Sequence, residues 1–287
     1  MSEPSRLPKL DPKDRRIFAA GHDLDAAPGP RVVAPFADLR AEPASDCPLD
    51  HQIICGDRVA VLESREGWAL VKAEFDGYVG WTSEEGLSGH TVSPTHVVRV
   101  PRTFAYPGPD LKLPARRALS MGSTVTVIGQ AETRGSTYAL LDTGEALFAR
   151  HLRLVGEHDH DHVAVGRKLL GTPYLWGGST GFGIDCSGFV QLAMRMCGRA
   201  VLRDSDMQAA TIGVEIDPGE DLAGLRRGDL VFWRGHVGIV EGDGNLLHAS
   251  GYSMDVTSEP LGEAIARIER FFERPIGYRR PPAGVVG

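Results

Sequence analysis

The sequence predicts a multidomain fold in which two small all-β barrels precede one α+β domain. At 287 residues the chain is long enough for two or three domains, given about 150 residues per domain. Short runs of β-forming residues separated by turn residues fill two stretches of comparable length, which is typical of tandem small barrels. Helical periodicity followed by several short strands fills the C-terminal part and predicts the α+β domain.

Composition and charge exclude several classes of partner. The net charge is −7, and nucleic-acid binding usually requires a basic face, so we expect no nucleic-acid partner. No apolar run reaches the roughly 18 residues of a membrane span, so we expect no membrane association. The N-terminus carries acids and prolines in place of the apolar segment of a secretory signal. This predicts a cytoplasmic protein whose four cysteines are free thiols.

The N-terminal half is predicted to contain an extended lead-in over residues 1–30, one barrel over 31–90 and a second over 91–155. Alternation of apolar and polar residues predicts the strands, and Asp76-Gly77 is a tight-turn signal between two of them. The clearest predicted strands are Asp57–Val61 and Trp68–Lys72 in the first barrel, and Val125–Ile128 and Tyr138–Leu141 in the second.

Residues 156–287 are predicted to form the α+β domain. Apolar residues at helical spacing predict a first helix that ends at Gly171 and a second helix over Cys186–Cys197. The turn Glu241–Asn245 predicts a hairpin between two of the strands that follow. The remaining predicted elements are helices over Asp204–Thr211 and 259–272, and strands Asp229–Trp233, His236–Glu241, Leu246–Ala249 and Ile276–Arg279.

Cys186 is the candidate nucleophile because it lies at a predicted helix start after a glycine-rich loop. Unpaired N–H groups and the macrodipole at a helix N-terminus lower a thiol's pKa and favour the reactive thiolate. Only His236 and His248 follow Cys186 in the chain, on adjacent strands of the predicted hairpin. We expect His236 to take the thiol proton and His248 to orient His236. The alternative is that Cys186 is a small buried side chain; Cys197 is assigned no role.

Several spaced motifs resemble known families. PYLWGGSTGFGIDCSGFVQ, RGDLVFWRGHVGIV and NLLHASG resemble the NlpC-type cell-wall cysteine peptidases, which are papain-like in fold, over roughly residues 158–280. GWALVKAEFDGYVGW resembles a pattern of bacterial SH3-like domains, and STYALLDTGEALFA is a weaker match. Two SH3-like domains ahead of such a peptidase are similar to the layout of γ-D-glutamyl-L-diamino-acid endopeptidases that recycle murein peptides.

The resemblance implies a triad of Cys186, His236 and His248 that needs no cofactor. The backbone N–H of Cys186 would stabilise the oxyanion of the reaction. Tyr174 would assist the oxyanion through its hydroxyl, or else pack through its ring. Trp176 would wall the substrate pocket, or else be a buried core tryptophan.

The implied substrate is a small murein peptide, L-Ala-γ-D-Glu joined to a diamino acid, with a free ammonium at one end. The resemblance assigns that ammonium to Asp185, Glu42 and Tyr78. It assigns the D-Glu end of the peptide to Ser187 and Ser205. Asp185 is also a candidate helix N-cap worth about 1 kcal/mol, and its two carboxylate oxygens allow both roles.

Three histidines, His158, His160 and His162, alternate with aspartates and invite a metal-site interpretation. The run precedes a predicted helix, so a polar linker that ends in an N-cap explains it more simply. Zinc sites favour ligands that converge at defined spacings. We therefore predict no metal site.

The leading hypothesis is a cysteine peptidase that hydrolyses the γ-D-Glu–diamino-acid bond, with diaminopimelate or Lys as the diamino acid, of murein peptides with a free N-terminal L-Ala. The barrels would read that N-terminus. One alternative keeps the enzyme class but takes intact peptidoglycan stems as substrate. A second is a non-catalytic SH3-like peptide-binding protein with an inactive peptidase domain, and a more distant one is an acyltransferase on the same fold.

Overall fold

The computed structural model describes residues 6–23, 29–89 and 92–282, which form two structural units. The β unit comprises residues 15–23, 29–89, 92–157 and 177–182. The α+β unit comprises residues 6–14, 158–176 and 183–282. Parts of the predicted lead-in (1–5 and 24–28), of the predicted barrels (90 and 91) and of the predicted C-terminal domain (283–287) lie outside the described residues.

This division differs from the predicted one in three respects. Both predicted barrels lie in the β unit, and the predicted lead-in is shared between the two units. Residues 177–182 belong to the β unit although they fall within the predicted C-terminal domain. Contacts between distant parts of the chain decide this division, and they are not visible in the local patterns from which the boundaries were predicted.

The β unit consists of short strands and two 3-10 helices, Glu84–Gly86 and Ala149–His151. Its strands are β1 (Arg31–Val32), β2 (Phe36–Arg40), β3 (Leu49–Ile54), β4 (Val59–Arg65), β5 (Trp68–Ala73), β6 (Val79–Ser83), β7 (Leu87–Ser88), β8 (His96–Val98), β9 (Arg102–Ala105), β10 (Arg117–Ser120), β11 (Thr124–Val125), β12 (Val127–Thr133), β13 (Ser136–Leu141), β14 (Ala146–Phe148), β15 (Leu152–Leu154) and β16 (Ser179–Thr180).

The first half of the β unit is built on an antiparallel sheet with the strand order β3-β2-β6-β5-β4. Every second residue of β5 is buried, as the alternation in the sequence predicts. The strand predicted from Asp57 begins at Val59 instead, because the Asp57 carboxylate accepts the backbone N–H of Ile54 at 3.0 Å and closes a turn. The core of this half includes Leu39 and Val71.

The second half of the β unit contains two three-stranded sheets, ordered β11-β8-β15 and β12-β13-β14. Within the described residues the sheets of the β unit are open, whereas closed barrels were predicted. The strands are two to seven residues long, and a register shift between Val127 and Gly129 bends one of them. The core of this half contains Leu119, Leu147 and Cys55.

Two glycines place the segment 177–182 within the β unit. Gly177 has a φ of +73°, and a side chain on it would come within 2.6 Å of the backbone of Leu49. A side chain on Gly181 would come within 2.2 Å of the carbonyl oxygen of Pro101. The close approach of two backbones therefore requires glycine at both positions.

The strands of the α+β unit are β17 (Gly183–Ile184), β18 (Val214–Ile216), β19 (Leu230–Trp233), β20 (His236–Gly242), β21 (Asn245–Ser250), β22 (Asp255–Pro260) and β23 (Gly277–Arg280). Six of them form an antiparallel sheet with the strand order β18-β23-β19-β20-β21-β22. Its helices are α1 (His162–Arg167), α2 (Cys186–Met196), α3 (Ser205–Thr211) and α4 (Leu261–Phe271). The predicted helix over 259–272 begins two residues late, because β22, which was not predicted, runs to Pro260.

Helix α2 is buried along nearly its whole length, with Arg195 the partly exposed exception. The Asp185 carboxylate caps it by accepting the backbone N–H of Gly188 at 2.7 Å. Such a cap satisfies one of the N–H groups that a helix start leaves unpaired.

Two further observations concern the predictions from composition. Across residues 6–23, 29–89 and 92–282, every helix is too short or too polar to cross a membrane. Cys47, Cys55, Cys186 and Cys197 are free thiols in the structure.

Candidate active site

Cys186 is the first residue of α2, where its side chain is only 5% exposed. The Sγ atom lies 3.9 Å from the carbonyl oxygen of Gly235. The backbone amide of Val237 also faces the sulfur. Because Gly235 and Val237 flank His236, the thiol faces the start of the strand that carries the predicted base.

Burial raises the pKa of the Cys186 thiol to about 12, and the nearby Asp185 carboxylate raises it further. The backbone amides of Val237 and Ser187 act in the opposite direction and are outweighed. The expectation that the helix N-terminus lowers this pKa is therefore wrong for the free protein. Burial destabilises the thiolate by removing it from water, and the backbone amides stabilise the thiolate by a smaller amount. The thiol is neutral near pH 7 and needs a base to become a nucleophile.

His236 and His248 form a hydrogen-bonded pair across the hairpin of β20 and β21. The Nε2 atom of His236 lies 2.8 Å from the Nδ1 atom of His248, and the ring centroids are 5.0 Å apart. His236 opens β20, and His248 lies in β21, with no more than 1% of its side chain exposed. The predicted hairpin is therefore present. The contact between the two rings uses Nε2 of His236, so Nδ1 of His236 takes no part in it.

Burial lowers the pKa of His236 to about 3, and the neighbouring His248 and Arg267 side chains lower it further. Glu259 opposes this effect and is outweighed. His236 is therefore a neutral imidazole near pH 7, the form that can accept a proton.

Two groups that were not predicted extend the pair. The Nε2 atom of His248 lies 2.8 Å from Oε1 of Glu259, and the guanidinium of Arg267 donates to both carboxylate oxygens. Burial raises the pKa of Glu259, but the hydrogen bonds from His248 and Arg267 outweigh this and lower it to about 2. Glu259 lies two residues from Thr257, the cross-strand partner of His248. Reading 255–260 as a strand would have placed Glu259 on the same face as His248.

Two of the predicted substrate-binding residues, Asp185 and Ser187, contact the same buried arginine. The guanidinium of Arg203, whose side chain has no exposed area, donates to the two carboxylate oxygens of Asp185 at 2.9 and 2.7 Å. It also donates to the hydroxyl of Ser187 at 2.8 Å. Both side chains therefore have a cationic partner, Arg203, that sequence reasoning missed, and their substrate roles stay predictions.

A cavity of about 450 Å³ opens in front of the histidine pair. Its walls are mainly aromatic, with His236 and His248 at one side. The aromatic walls are Tyr174, Trp176, Trp233, Tyr252, Phe271 and Phe272. Trp176 is 67% exposed and lines this cavity, so the alternative of a buried core tryptophan is wrong.

Tyr174 lines the same cavity and lies close enough to Cys186 for the two groups to interact electrostatically when they ionise. Burial raises the pKa of Tyr174, and the charges of Cys186 and Asp185 raise it further. The phenol is therefore neutral and able to donate a hydrogen bond.

The remaining predicted residues lie in different settings. Ser205 is the first residue of α3 and is partly buried. Glu42 is exposed in the loop after β2. Tyr78 is 2% exposed in the core of the β unit, with its ring 5.1 Å from that of His51, so its ring is not open to solvent. The substrate roles of these three residues stay predictions.

The histidine run at 158–162 contributes to the packing of α1. Asp161 caps the helix through the backbone N–H of Val163 at 2.9 Å, as the linker interpretation predicts. The Nε2 atom of His162 lies 3.0 Å from the carbonyl oxygen of Gly228. Within the described part of the chain, histidines, cysteines and acids do not converge in threes at any point that could hold a metal ion.

Comparison with known proteins assigns families to both units. Residues 171–269 match the NlpC/P60 family. The chain carries an NlpC/P60 domain. Residues 39–87 match the bacterial dipeptidyl-peptidase SH3 domain, so the first half of the β unit is an SH3 domain ahead of the NlpC/P60 domain.

Two relatives align with most of the chain. The γ-D-glutamyl-L-lysine dipeptidyl-peptidase of Bacillus cereus is 28% identical over 243 residues, which is 74% of this chain and 71% of the relative. The dipeptidyl-peptidase 6 of Lysinibacillus sphaericus is 27% identical over 255 residues, which is 81% of this chain and 91% of the relative.

One solved structure shares the fold over most of the chain. It is the crystal structure of an NlpC/P60 family protein from Bacillus cereus, with a TM-score of 0.73 and 24% identity. The similarity covers 88% of this chain and 99% of the other. At this identity it supports the fold of the SH3 and NlpC/P60 domains alone.

Proposed function

We propose that this protein is a cysteine peptidase that hydrolyses the γ-D-Glu–L-diamino-acid bond of small murein peptides with a free N-terminal L-Ala. The observation that carries the proposal is the buried Cys186 thiol at the start of α2, facing the strand that begins with the paired His236. The relatives are γ-D-glutamyl-L-lysine dipeptidyl-peptidases and a dipeptidyl-peptidase 6, which supports the choice of substrate.

The reaction begins with a neutral thiol and a neutral imidazole. As the sulfur of Cys186 attacks the γ-carbonyl carbon of D-Glu, His236 takes the thiol proton. The backbone N–H of Cys186 and the hydroxyl of Tyr174 donate to the oxyanion that forms. His236 then returns the proton to the leaving amine of the diamino acid, and the C–N bond breaks to leave a thioester on Cys186.

Hydrolysis of the thioester completes the cycle. His236 removes a proton from a water molecule, which attacks the thioester carbonyl, and L-Ala-γ-D-Glu leaves as the thiol is regenerated. The imidazolium that forms twice in this cycle is paired through His248 with the Glu259 carboxylate. That negative charge favours proton uptake by an otherwise weakly basic His236.

Small soluble peptides suit the protein better than the intact wall. A net charge of −7 disfavours adhesion to an anionic wall or membrane surface. We therefore propose a role in the recycling of murein peptides in the cytoplasm. Two aspects rest on the resemblance alone: the residues that read the substrate's N-terminus, and a second SH3-like domain over 91–155.

The test is to incubate the protein with L-Ala-γ-D-Glu-diaminopimelate, its L-Lys counterpart and the N-acetylated form of each, and to follow products by mass spectrometry. Release of L-Ala-γ-D-Glu from the free peptides, with at least tenfold slower release from the acetylated ones, is expected. Cys186→Ala serves as the inactive control. Equal cleavage of free and acetylated peptides would remove the N-terminus claim, and cleavage of purified sacculi alone would favour the alternative of intact stems.

A further inference from the structure

The hydrogen-bond chain behind the nucleophile does not end at the second histidine. From His236 it passes through His248 to Glu259, with 2.8 Å between the joined atoms at each step. Arg267, on α4, then holds both oxygens of Glu259. The chain therefore ends in an ion pair whose two members lie on different elements, β22 and α4.

An ionised carboxylate accepts hydrogen bonds and donates none, so Glu259 requires a proton on Nε2 of His248. A neutral His248 then presents the lone pair of Nδ1 to its neighbour. That lone pair requires a proton on Nε2 of His236, the atom that lies against it. The Nδ1 atom of a neutral His236 is left with its lone pair, ready to accept the thiol proton. The opposite tautomer would present an N–H to the thiol and abolish the base.

Glu259 stays ionised because its surroundings favour the charge. His248 faces it from β21 and Arg267 faces it from α4. Arg267 is itself held from the other side, since its guanidinium lies 4.7 Å from the centroid of the Tyr252 ring. Glu263, on the first turn of α4, adds negative charge near Arg267. The ion pair is therefore held in place by three elements of the α+β unit.

We propose that Glu259, held by Arg267, is a positioning residue that sets the tautomer of both histidines and so makes Nδ1 of His236 the catalytic base. Its kinetic consequence rests on the proposed peptidase function, whereas the tautomers themselves do not. Glu259 acts through His248 and His236, and it also pairs with the imidazolium that forms during proton transfer.

The decisive variant is Glu259→Gln, whose amide presents a donor as well as an acceptor to His248. In the wild-type protein, ¹⁵N NMR of the imidazole nitrogens should show protonated Nε2 and unprotonated Nδ1 in both histidines. In Glu259→Gln, the two tautomers should be mixed, and kcat should fall by about 10- to 100-fold, with KM changed less than about twofold. Glu263→Gln, which removes an exposed carboxylate from the same helix, should keep both wild-type properties.

Two results would overturn the proposal: wild-type tautomers in Glu259→Gln, whether or not kcat falls, or an equal loss of kcat in Glu263→Gln. Circular dichroism shows whether Glu259→Gln folds. If Glu259→Gln does not fold, Arg267→Gln is measured in its place. That variant keeps the carboxylate but loosens it, so an intermediate loss of kcat and partial mixing of tautomers are expected, and unchanged values would overturn the proposal. The NMR measurement needs no substrate, so a wrong assignment of the peptide would leave it interpretable.

Discussion

His51 and Ser179 are joined by a hydrogen bond of 3.1 Å between Nδ1 and Oγ, although 128 residues separate them in the chain. The other ring nitrogen of His51 lies 3.1 Å from the Asp76 carboxylate, and all three side chains are buried in the β unit. The bond fastens the segment 177–182 to β3, and that segment leads directly to the nucleophile's helix.

Replacing Ser179 by Ala should lower the free energy of unfolding by about 1–3 kcal/mol, because the buried side chain of His51 loses this hydrogen bond. Chemical denaturation measures this change. Ser64→Ala, on an exposed position of β4, should stay within about 0.5 kcal/mol of the wild-type protein. Equal effects of the two variants would show that the bond contributes nothing.

The pH profile of kcat/KM should be flat across the range where histidine ordinarily titrates. The pKa of His236 is lowered to about 3, chiefly by burial and further by the neighbouring His248 and Arg267, and that of Cys186 is raised to about 12, chiefly by burial. The base is therefore unprotonated and the thiol protonated from about pH 5 to pH 9 in the free enzyme. Initial rates at low substrate test this, and an acid limb near the ordinary histidine value of about 6.5 would contradict it.

The same lowered pKa makes stability depend on pH. The folded-state pKa of His236, about 3, lies below the unfolded value of 6.5, so the unfolded chain binds the proton first. This contribution to stability is complete above pH 6.5 and is lost as the pH falls toward 3, by about 1.4 kcal/mol for each pH unit. The melting temperature of His236→Gln should therefore fall less than that of the wild-type protein between pH 7 and pH 5. His160→Gln, at an exposed histidine, should follow the wild-type curve.

Breaking the buried pair of Arg203 and Asp185 should be far more costly than breaking an exposed one. Arg203→Met leaves a buried carboxylate without its cation and should cost about 3–5 kcal/mol of unfolding free energy. Adding Asp185→Asn removes the uncompensated charge and should restore part of the loss. Arg134→Met, at a solvent-exposed pair with Asp110, should lower the stability far less, because water screens an exposed ion pair. A loss of similar size at both pairs would mean that burial adds nothing to the cost of breaking the pair.

Local patterns predicted the parts of the site that depend on neighbours in the chain. The helix start at Cys186 and the hairpin that pairs His236 with His248 followed from spacing and turn residues. Arg203 and Glu259 were missed, because tertiary folding brings each to its partner. Arg203 lies 18 positions from Asp185, and Glu259 lies 11 positions from His248. The predicted direction of the pKa shift of Cys186 was wrong. Burial, which depends on the packing of the whole domain, raises the pKa by more than the helix N-terminus lowers it.

The path of the chain bears on how such a protein can evolve. It passes from one unit to the other at 14–15, 157–158, 176–177 and 182–183, so a single cut cannot separate them. A recombination event that moved residues 15–157 alone would leave behind Ser179, the partner of buried His51, and Gly177, which covers the backbone of Leu49. The six residues 177–182 belong to the β unit but are encoded between two segments of the α+β unit. The coding sequences of the two units are therefore expected to be inherited together.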